Sequence, residues 1–375
     1  MVLLRDRPEA ESFPTGDIAL AFCSRCAFVT NMRFDPRLER YGAGYEASQS
    51  FSETFNAFHR RLASDLIERY GLRGKTVMEI GCGQGEFLQI LCEAGDNRGI
   101  GFDPAYIDAR GISTDNGRMR VIADFYSDAY GSYAADFVCC KQTLEHIADT
   151  AAFVRSVRRA IGEQPDTCVF FQVPDFLRIM REGAFWDVYY EHCSYFTQPS
   201  LTYLFRSAGF DVLDSRVEYD GQYLMVEAKP GQVPAAAPAA AAEVEKIAAG
   251  VHSFARKCAY QVSRWRRELT AARQRGERTV LWGGGSKAVA FLTTLGVGDE
   301  VECAVDINPR KQNTHLAGTG HPVLAPAWLK HAPPDRVIVM NPIYMAEIRR
   351  DLARLGLAPA LVPVTAFAEP REMVA

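Results

Sequence analysis

Apolar and polar positions change period repeatedly along the middle of the chain. From about residue 50 to 230, helical and strand patterns follow one another. A helix around Phe51 to Tyr70 precedes a strand at Thr76 to Ile80, a glycine loop and a second helix near Glu86 to Glu93. Further strands are expected at Arg98 to Phe102, Ala135 to Cys140 and Cys168 to Val173. This alternation predicts an α/β fold, with an open parallel sheet carrying helices on both faces. The pattern breaks at GQVPAAAPAAAA, residues 231–242, read as a linker that turns helical at its end. A long amphipathic stretch from Ala242 to Arg273 then leads to a second glycine loop. Apolar runs at Thr279 to Trp282, Val301 to Val305 and Arg336 to Met340 predict a second, smaller α/β domain. Four segments are therefore expected: a small N-terminal lobe over residues 1–48, a first α/β domain over 49–230, linker and helix over 231–275, and the second α/β domain over 276–375.

Composition narrows the function. The 375 residues are 48% hydrophobic and 23% charged, with a net charge of -4, so no basic surface is expected for nucleic acid. The densest basic run, Arg264, Arg266 and Arg267, reads as the solvated face of a helix. No signal peptide is read at the N-terminus, and no run approaches the roughly 20 apolar residues of a membrane span. A cytoplasmic protein without membrane association is expected, monomeric or homodimeric. Ten cysteines without regular spacing suit a reducing compartment rather than a disulfide framework.

The first glycine loop, Gly81, Gly83 and Gly85, ends a strand and opens a helix. Glycine there permits positive φ and lets a ligand lie against the backbone. About twenty residues on, the next strand ends at Asp103, whose carboxylate can accept the ribose hydroxyls of an adenosine. Such a loop also occurs in nicotinamide sites, but neither loop of this chain has the G-x-G-x-x-G spacing.

E-I-G-C-G-Q-G-E at 79–86 and G-I-G-F-D-P at 99–104 resemble motifs I and II of class I S-adenosylmethionine methyltransferases, whose fold is Rossmann-like. K-Q-T-L-E-H-I at 141–147 resembles the segment that follows strand four in that family. The resemblance implies S-adenosylmethionine as cofactor and a site built from Glu79, Gly81, Gly83, Gly85, Asp103, Asp124, Phe125 and Gln142. In it, Asp124 and Phe125 would take the adenine amine and ring, and Glu145 and His146 would shape the pocket.

Aromatic, acidic and imidazole groups crowd residues 185–196, just beyond the strand at Cys168. His192 can take a proton near neutrality, and Glu191 and Tyr189 can hold a hydroxylated small molecule. Y-Y-E-H-C-S-Y-F at 189–196 is similar to the Y-H-E-H-x-S-Y-F signature of sugar-nucleotide C-methyltransferases, with Tyr190 in place of the first histidine. That resemblance implies catalytic roles for Tyr189, Glu191 and His192, joined by Tyr45 from the segment 41–48. It implies C-methylation of a nucleotide-linked keto-deoxysugar or related natural-product intermediate, in which His192 removes the proton beside the ketone. An O- or N-methyltransferase acting on a non-sugar metabolite is the alternative. A non-catalytic S-adenosylmethionine sensor is a third reading.

The second glycine loop, Gly283, Gly284, Gly285, Ser286 and Lys287, lies before a helix start that favours phosphate, with Asp306 ending the next strand. It lacks the Walker A spacing. D-I-N-P-R-K-Q at 306–312, including Asn308, G-T-G-H-P at 318–322 and M-N-P-I-Y at 340–344 resemble the C-terminal domain of the same C-methyltransferases, which implies that this domain helps hold the substrate. Cys23 and Cys26 have zinc-ligand spacing, but structural zinc takes four ligands; a metal-free lobe is expected over a zinc-bound one.

Overall fold

The computed structural model describes residues 1–108, 117–231 and 240–367. The Pro/Ala-rich run 232–239 of the expected linker lies outside the described residues, as do 368–375 of the last expected segment.

Near the N-terminus, α1 (Arg7–Glu11) is followed by strands β1 (Leu20–Phe22) and β2 (Val29–Asn31). Helix α2 (Glu53–Tyr70) begins at Ser52, whose hydroxyl accepts from Phe55 N at 3.2 Å, and stops at Gly71 with φ 60°. Its face of Phe55, Phe58, Leu62 and Leu66 is buried, as the 3.6-residue period requires. Next come β3 (Thr76–Ile80), α3 (Glu86–Gly95), β4 (Arg98–Phe102), β5 (Met119–Ile122) and β6 (Phe137–Lys141). They continue into α4 (Thr150–Ile161), β7 (Cys168–Pro174), α5 (Phe176–Glu182), β8 (Ser194–Tyr195) and α6 (Gln198–Ser207). Strands β9 (Phe210–Glu218) and β10 (Tyr223–Pro230) complete this half.

The seven-stranded sheet runs β5-β4-β3-β6-β7-β10-β9. Five strands are parallel, but β10 pairs antiparallel with both β7 and β9, so the expected parallel sheet is mixed. The reversal is local in origin: Tyr219, Asp220 and Gly221 all have positive φ, the backbone of a tight hairpin. β6 is buried throughout and β7 up to its last residue, which explains their continuous apolar runs. β1, β2 and β8 form a small sheet of their own, so the N-terminal segment is stitched to the stretch that contains His192.

Helix α7 (Ala241–Gln274) leads to β11 (Thr279–Trp282), α8 (Ser286–Leu295), β12 (Ala304–Val305), β13 (Thr314–His315) and β14 (Pro322–Leu324). β15 (Arg336–Val339), α9 (Met345–Arg354) and β16 (Ala360–Pro363) follow. Their six-stranded sheet has the order β13-β14-β12-β11-β15-β16. The strand expected from Val301 is reduced to Ala304 and Val305. One apolar core joins the halves. Phe185 stacks on Phe291 of α8 at 5.9 Å, and the fully buried Trp265 of α7 meets the same ring edge-on. Among the described residues, no helix is long and apolar enough to cross a membrane.

Each sheet has one point where successive strands step to opposite sides. In the first it lies between β3 and β6, in the second between β11 and β15. Ligands of open α/β sheets bind outside the strand ends at such points.

Candidate active site

A cavity of about 300 Å³ lies between the two halves. From the first half it is lined by Gln142, Glu145, His146, Tyr189 and His192, with Tyr45 from the N-terminal segment. Gly283, Gly285, Ser286, Lys287, Asp306 and Asn308 line it from the second. Reciprocal hydrogen bonds between Gln222 and Asn341, at 3.0 and 3.1 Å, bridge the halves at its wall.

The two glycine turns are braced alike. Asp103 Oδ2 accepts from Gly83 N and Oδ1 from Ala105 N, both at 2.8 Å. Asp306 Oδ2 accepts from Gly284 N and Oδ1 from Asn308 N, again at 2.8 Å. A carboxylate ending the second strand thus fixes the turn that ends the first, and each oxygen keeps acceptor capacity for a ligand. Gly81 has φ 71°, and a Cβ there would run into the Thr143 side chain. Gly83 has φ 58°, and a Cβ would meet nothing nearer than Glu86 Oε2 at 3.7 Å. The turn is therefore packed tightly at its start and open at its middle. Gln142 adopts φ 52° at the end of β6, a strained backbone of the kind found where side chains are held for function.

Burial sets the protonation states. His192 is 6% exposed and its Nδ1 has no hydrogen-bond partner. Burial, then the neighbouring His146, hold its imidazole well below the usual value, so it stands neutral as an acceptor. Tyr189 lies 4.1 Å from it, ring centre to ring centre, and His146 meets it edge-on at 4.8 Å. Burial keeps Tyr189 and Tyr45 as neutral phenols and lifts Glu145 to about 8. His146 is lowered to about 4 by burial, against the pull of the Glu191 carbonyl, and its Nδ1 hydrogen bonds to the Tyr41 hydroxyl. Glu79 is pushed up to about 7 by burial, although Lys141 Nζ lies 3.4 Å away and lowers it.

Several expected site residues lie off this cavity or are engaged otherwise. Glu191 does not line it, and neither do Glu79, Gly81, Gly83, Gly85 and Asp103 of the first glycine turn and its supports. Asp124 is exposed and accepts from the Tyr130 hydroxyl at 2.5 Å, and Phe125 is 61% exposed; neither lines the cavity. Lys287 does not present a free charge to a phosphate, because its Nζ lies 2.6 Å from Asp187 Oδ1. Arg178 holds the other Asp187 oxygen at 2.6 Å. Burial would raise Asp187, but Lys287 and Arg178 hold it down to about 2. Tyr190 turns away onto the N-terminal segment, where its hydroxyl accepts from Asp35 N at 2.7 Å. Cys23 and Cys26 are half-buried. Among the described residues, Glu145, His146 and His192 are the one group of three or more His, Cys, Asp or Glu side chains placed close enough for a metal ion.

This site meets its sequence relatives on both sides of the cavity. The methyltransferase domain family matches residues 55–215, and the C-methyltransferase C-terminal domain family matches residues 233–358. C-methyltransferase NovU of Streptomyces niveus is 28% identical over 363 residues, covering 92% of this chain and 85% of that protein. The chain is a class I S-adenosylmethionine-dependent C-methyltransferase. A ubiquinone biosynthesis O-methyltransferase of Actinobacillus pleuropneumoniae serotype 7 (strain AP76) is 31% identical over 110 residues, 27% of the methyltransferase and 46% of that protein. A crystal structure of the N,N-8-amino-8-demethyl-D-riboflavin dimethyltransferase RosA from Streptomyces davawensis covers 47% of the methyltransferase and 56% of its own chain. It shares 18% identity, with a TM-score of 0.38.

S-adenosylmethionine, the cofactor of the methyltransferase, supplies an electrophilic sulfonium methyl. The residues present fit it: the Gly83 turn is an open cradle that a side chain would narrow, and Asp103 stands at the adjoining strand end. Arg178, Asp187, Gln222 and Asn341 were not singled out from sequence, although all line the cavity. Asp187 and Asn341 stood inside motifs; Arg178 and Gln222 carried no local signal, because their partners are remote in the chain.

Proposed function

We propose that the enzyme methylates a carbon beside the ketone of a nucleotide-linked keto-deoxysugar, with His192 as the base. The observation that carries this reading is the buried His192 imidazole, with an unpartnered Nδ1, on a cavity lined by both halves. In this reading Gly81, Gly83, Gly85, Asp103 and Gln142 hold the cofactor, with Glu79 supporting the turn from behind and Asp124 and Phe125 at the adenine edge. The second half, through Gly283, Gly285, Ser286, Asp306 and Asn308, holds the part of the substrate remote from the reacting carbon. We place the domain division at residues 49–230 and 276–375, with the cavity between.

His192 accepts the proton of the carbon next to the ketone, and the electron pair it leaves becomes the enolate. S-adenosylmethionine held by the first glycine turn and Asp103 would supply the methyl group to that carbon and leave as the thioether. Tyr189 and Tyr45, kept as phenols, can donate to the developing enolate oxygen. Such preorganised donors favour the charge that develops in the transition state. The closing of the cavity by both halves keeps water from the enolate, and alignment supplies much of the rate.

The test is incubation with S-adenosylmethionine carrying a ¹³C methyl and a nucleotide-linked keto-deoxysugar. A carbon-bound methyl signal in the product is expected; an oxygen-bound methyl, or transfer only to non-sugar acceptors, would overturn the reading.

A further inference from the structure

Glu145 and His146 sit on the short turn after β6, and His192 reaches the same wall from the segment before β8. Other buried titratable groups have structural surroundings that account for them. Buried Glu227 is satisfied by Arg69, Arg216 and Tyr70, and buried His59 is enclosed by Phe55, Phe58 and Phe87. The Glu145, His146 and His192 group is different, because its donors converge and two of them, Glu145 Oε2 and His192 Nδ1, have no partner.

The donor atoms of the three side chains all lie within 4.8 Å of one another. Glu145 Oε2 and His192 Nδ1 are buried with no hydrogen-bond partner, on side chains 2% and 6% exposed. A buried unpaired carboxyl oxygen is costly unless something else completes it. His146 is already oriented through its Nδ1 contact with Tyr41, as the second nitrogen of a metal-bound imidazole commonly is. All three residues line the cavity, so a bound ion would keep open positions facing it. Two imidazoles and one carboxylate suit a divalent transition ion rather than magnesium or calcium, which prefer all-oxygen sites. Metal–ligand distances of about 2.0–2.2 Å require the widest donor pair to draw in by roughly an ångström.

We propose that Glu145, His146 and His192 form a site for a divalent transition-metal ion, and that the ion and proton removal by His192 exclude one another. The ion takes the imidazole lone pair on which the base depends, and Glu145 releases its proton to solvent as it becomes a ligand. The site itself rests on no part of the methyl-transfer reading; only the exclusion does.

Co²⁺ alone is the probe, added to the full chain in which Cys23 and Cys26 are both replaced by Ser. One Co²⁺ per chain with visible d–d absorption and no thiolate charge-transfer band is expected. Glu145→Gln and His146→Gln should each weaken binding by more than about tenfold. X-ray absorption at the cobalt edge of the unmutated site should find two imidazoles, a readout that survives any folding failure of the variants. Absence of binding, a single imidazole or none, or binding indifferent to Glu145 and His146 would overturn the site. Turnover of the keto-sugar should fall in step with occupancy; unchanged or faster turnover at full occupancy would overturn the exclusion. Hydrogen exchange at the substrate carbon, measured without metal, reports on the base assignment separately.

Discussion

Lys287 Nζ lies 2.6 Å from Asp187 Oδ1, tying the second glycine turn to the segment that carries His192. Arg178, itself paired with Glu182 at 2.8 Å, holds the other oxygen of the same carboxylate. All three groups lie on the cavity, so the contact fixes how the halves meet there.

Removing one member of a buried ionic group leaves its partners uncompensated, at about 3–5 kcal/mol. Asp187→Ala should therefore lower the urea midpoint strongly, and kcat should drop by about a hundredfold as the His192 segment shifts. Asp187→Asn combined with Lys287→Met should recover part of the lost stability. Strictly additive losses in the two single variants and the double variant would mean that the pair is not coupled.

The first glycine turn separates folding from binding. Gly83→Ala adds a methyl over open space at φ 58°, so strain of about 1 kcal/mol is expected. Its main effect should be weaker S-adenosylmethionine binding by calorimetry. Gly81→Ala meets the Thr143 side chain at φ 71° and should instead lower the melting temperature first. Cofactor affinity unchanged in Gly83→Ala would remove that turn from the binding site.

Stability should fall as pH rises from about 6.5 to 8. Glu145 at about 8 and Glu79 at about 7 are raised by burial above an unfolded value near 4.5. The native state therefore keeps protons that the unfolded state has released, and the stability these groups contribute below about 4.5 is lost through their folded values. His146 at about 4 acts oppositely: its contribution is present above about 6.5 and is lost as pH falls towards 4. Above 6.5 these carboxyls and Glu39, also raised to about 8 by burial, give the falling slope, and the buried Met1 amino group, lowered to about 5, offsets part of it. Glu145→Gln should flatten it by up to about 1.4 kcal/mol per pH unit, read by urea unfolding at pH 6.5 and 8. An unaltered slope would mean that Glu145 is ionised in the native state.

The fold was legible where local pattern suffices. Thr76–Ile80, Arg98–Phe102 and Thr279–Trp282 begin and end as their apolar runs suggest. The antiparallel β9 and β10 escaped notice because half-buried β9 shows no clean alternation, although Asp220-Gly221 is a hairpin signal. In the site, His192 and Tyr189 were legible from composition and spacing. The fate of Lys287 was not, because its partner Asp187 lies 100 residues away in sequence and no local pattern encodes that meeting. Likewise Tyr190 looked like an active-site neighbour of His192, yet it packs 5.6 Å from Phe34 in the N-terminal segment.

The central claim is that His192 takes a proton from carbon, and exchange reads this without methyl transfer. With S-adenosylhomocysteine bound in deuterated water, the unmodified enzyme should place deuterium beside the ketone of a nucleotide-linked keto-deoxysugar. His192→Gln should slow this by about a hundredfold or more while binding S-adenosylmethionine unchanged. Exchange at the original rate in that variant would contradict the account.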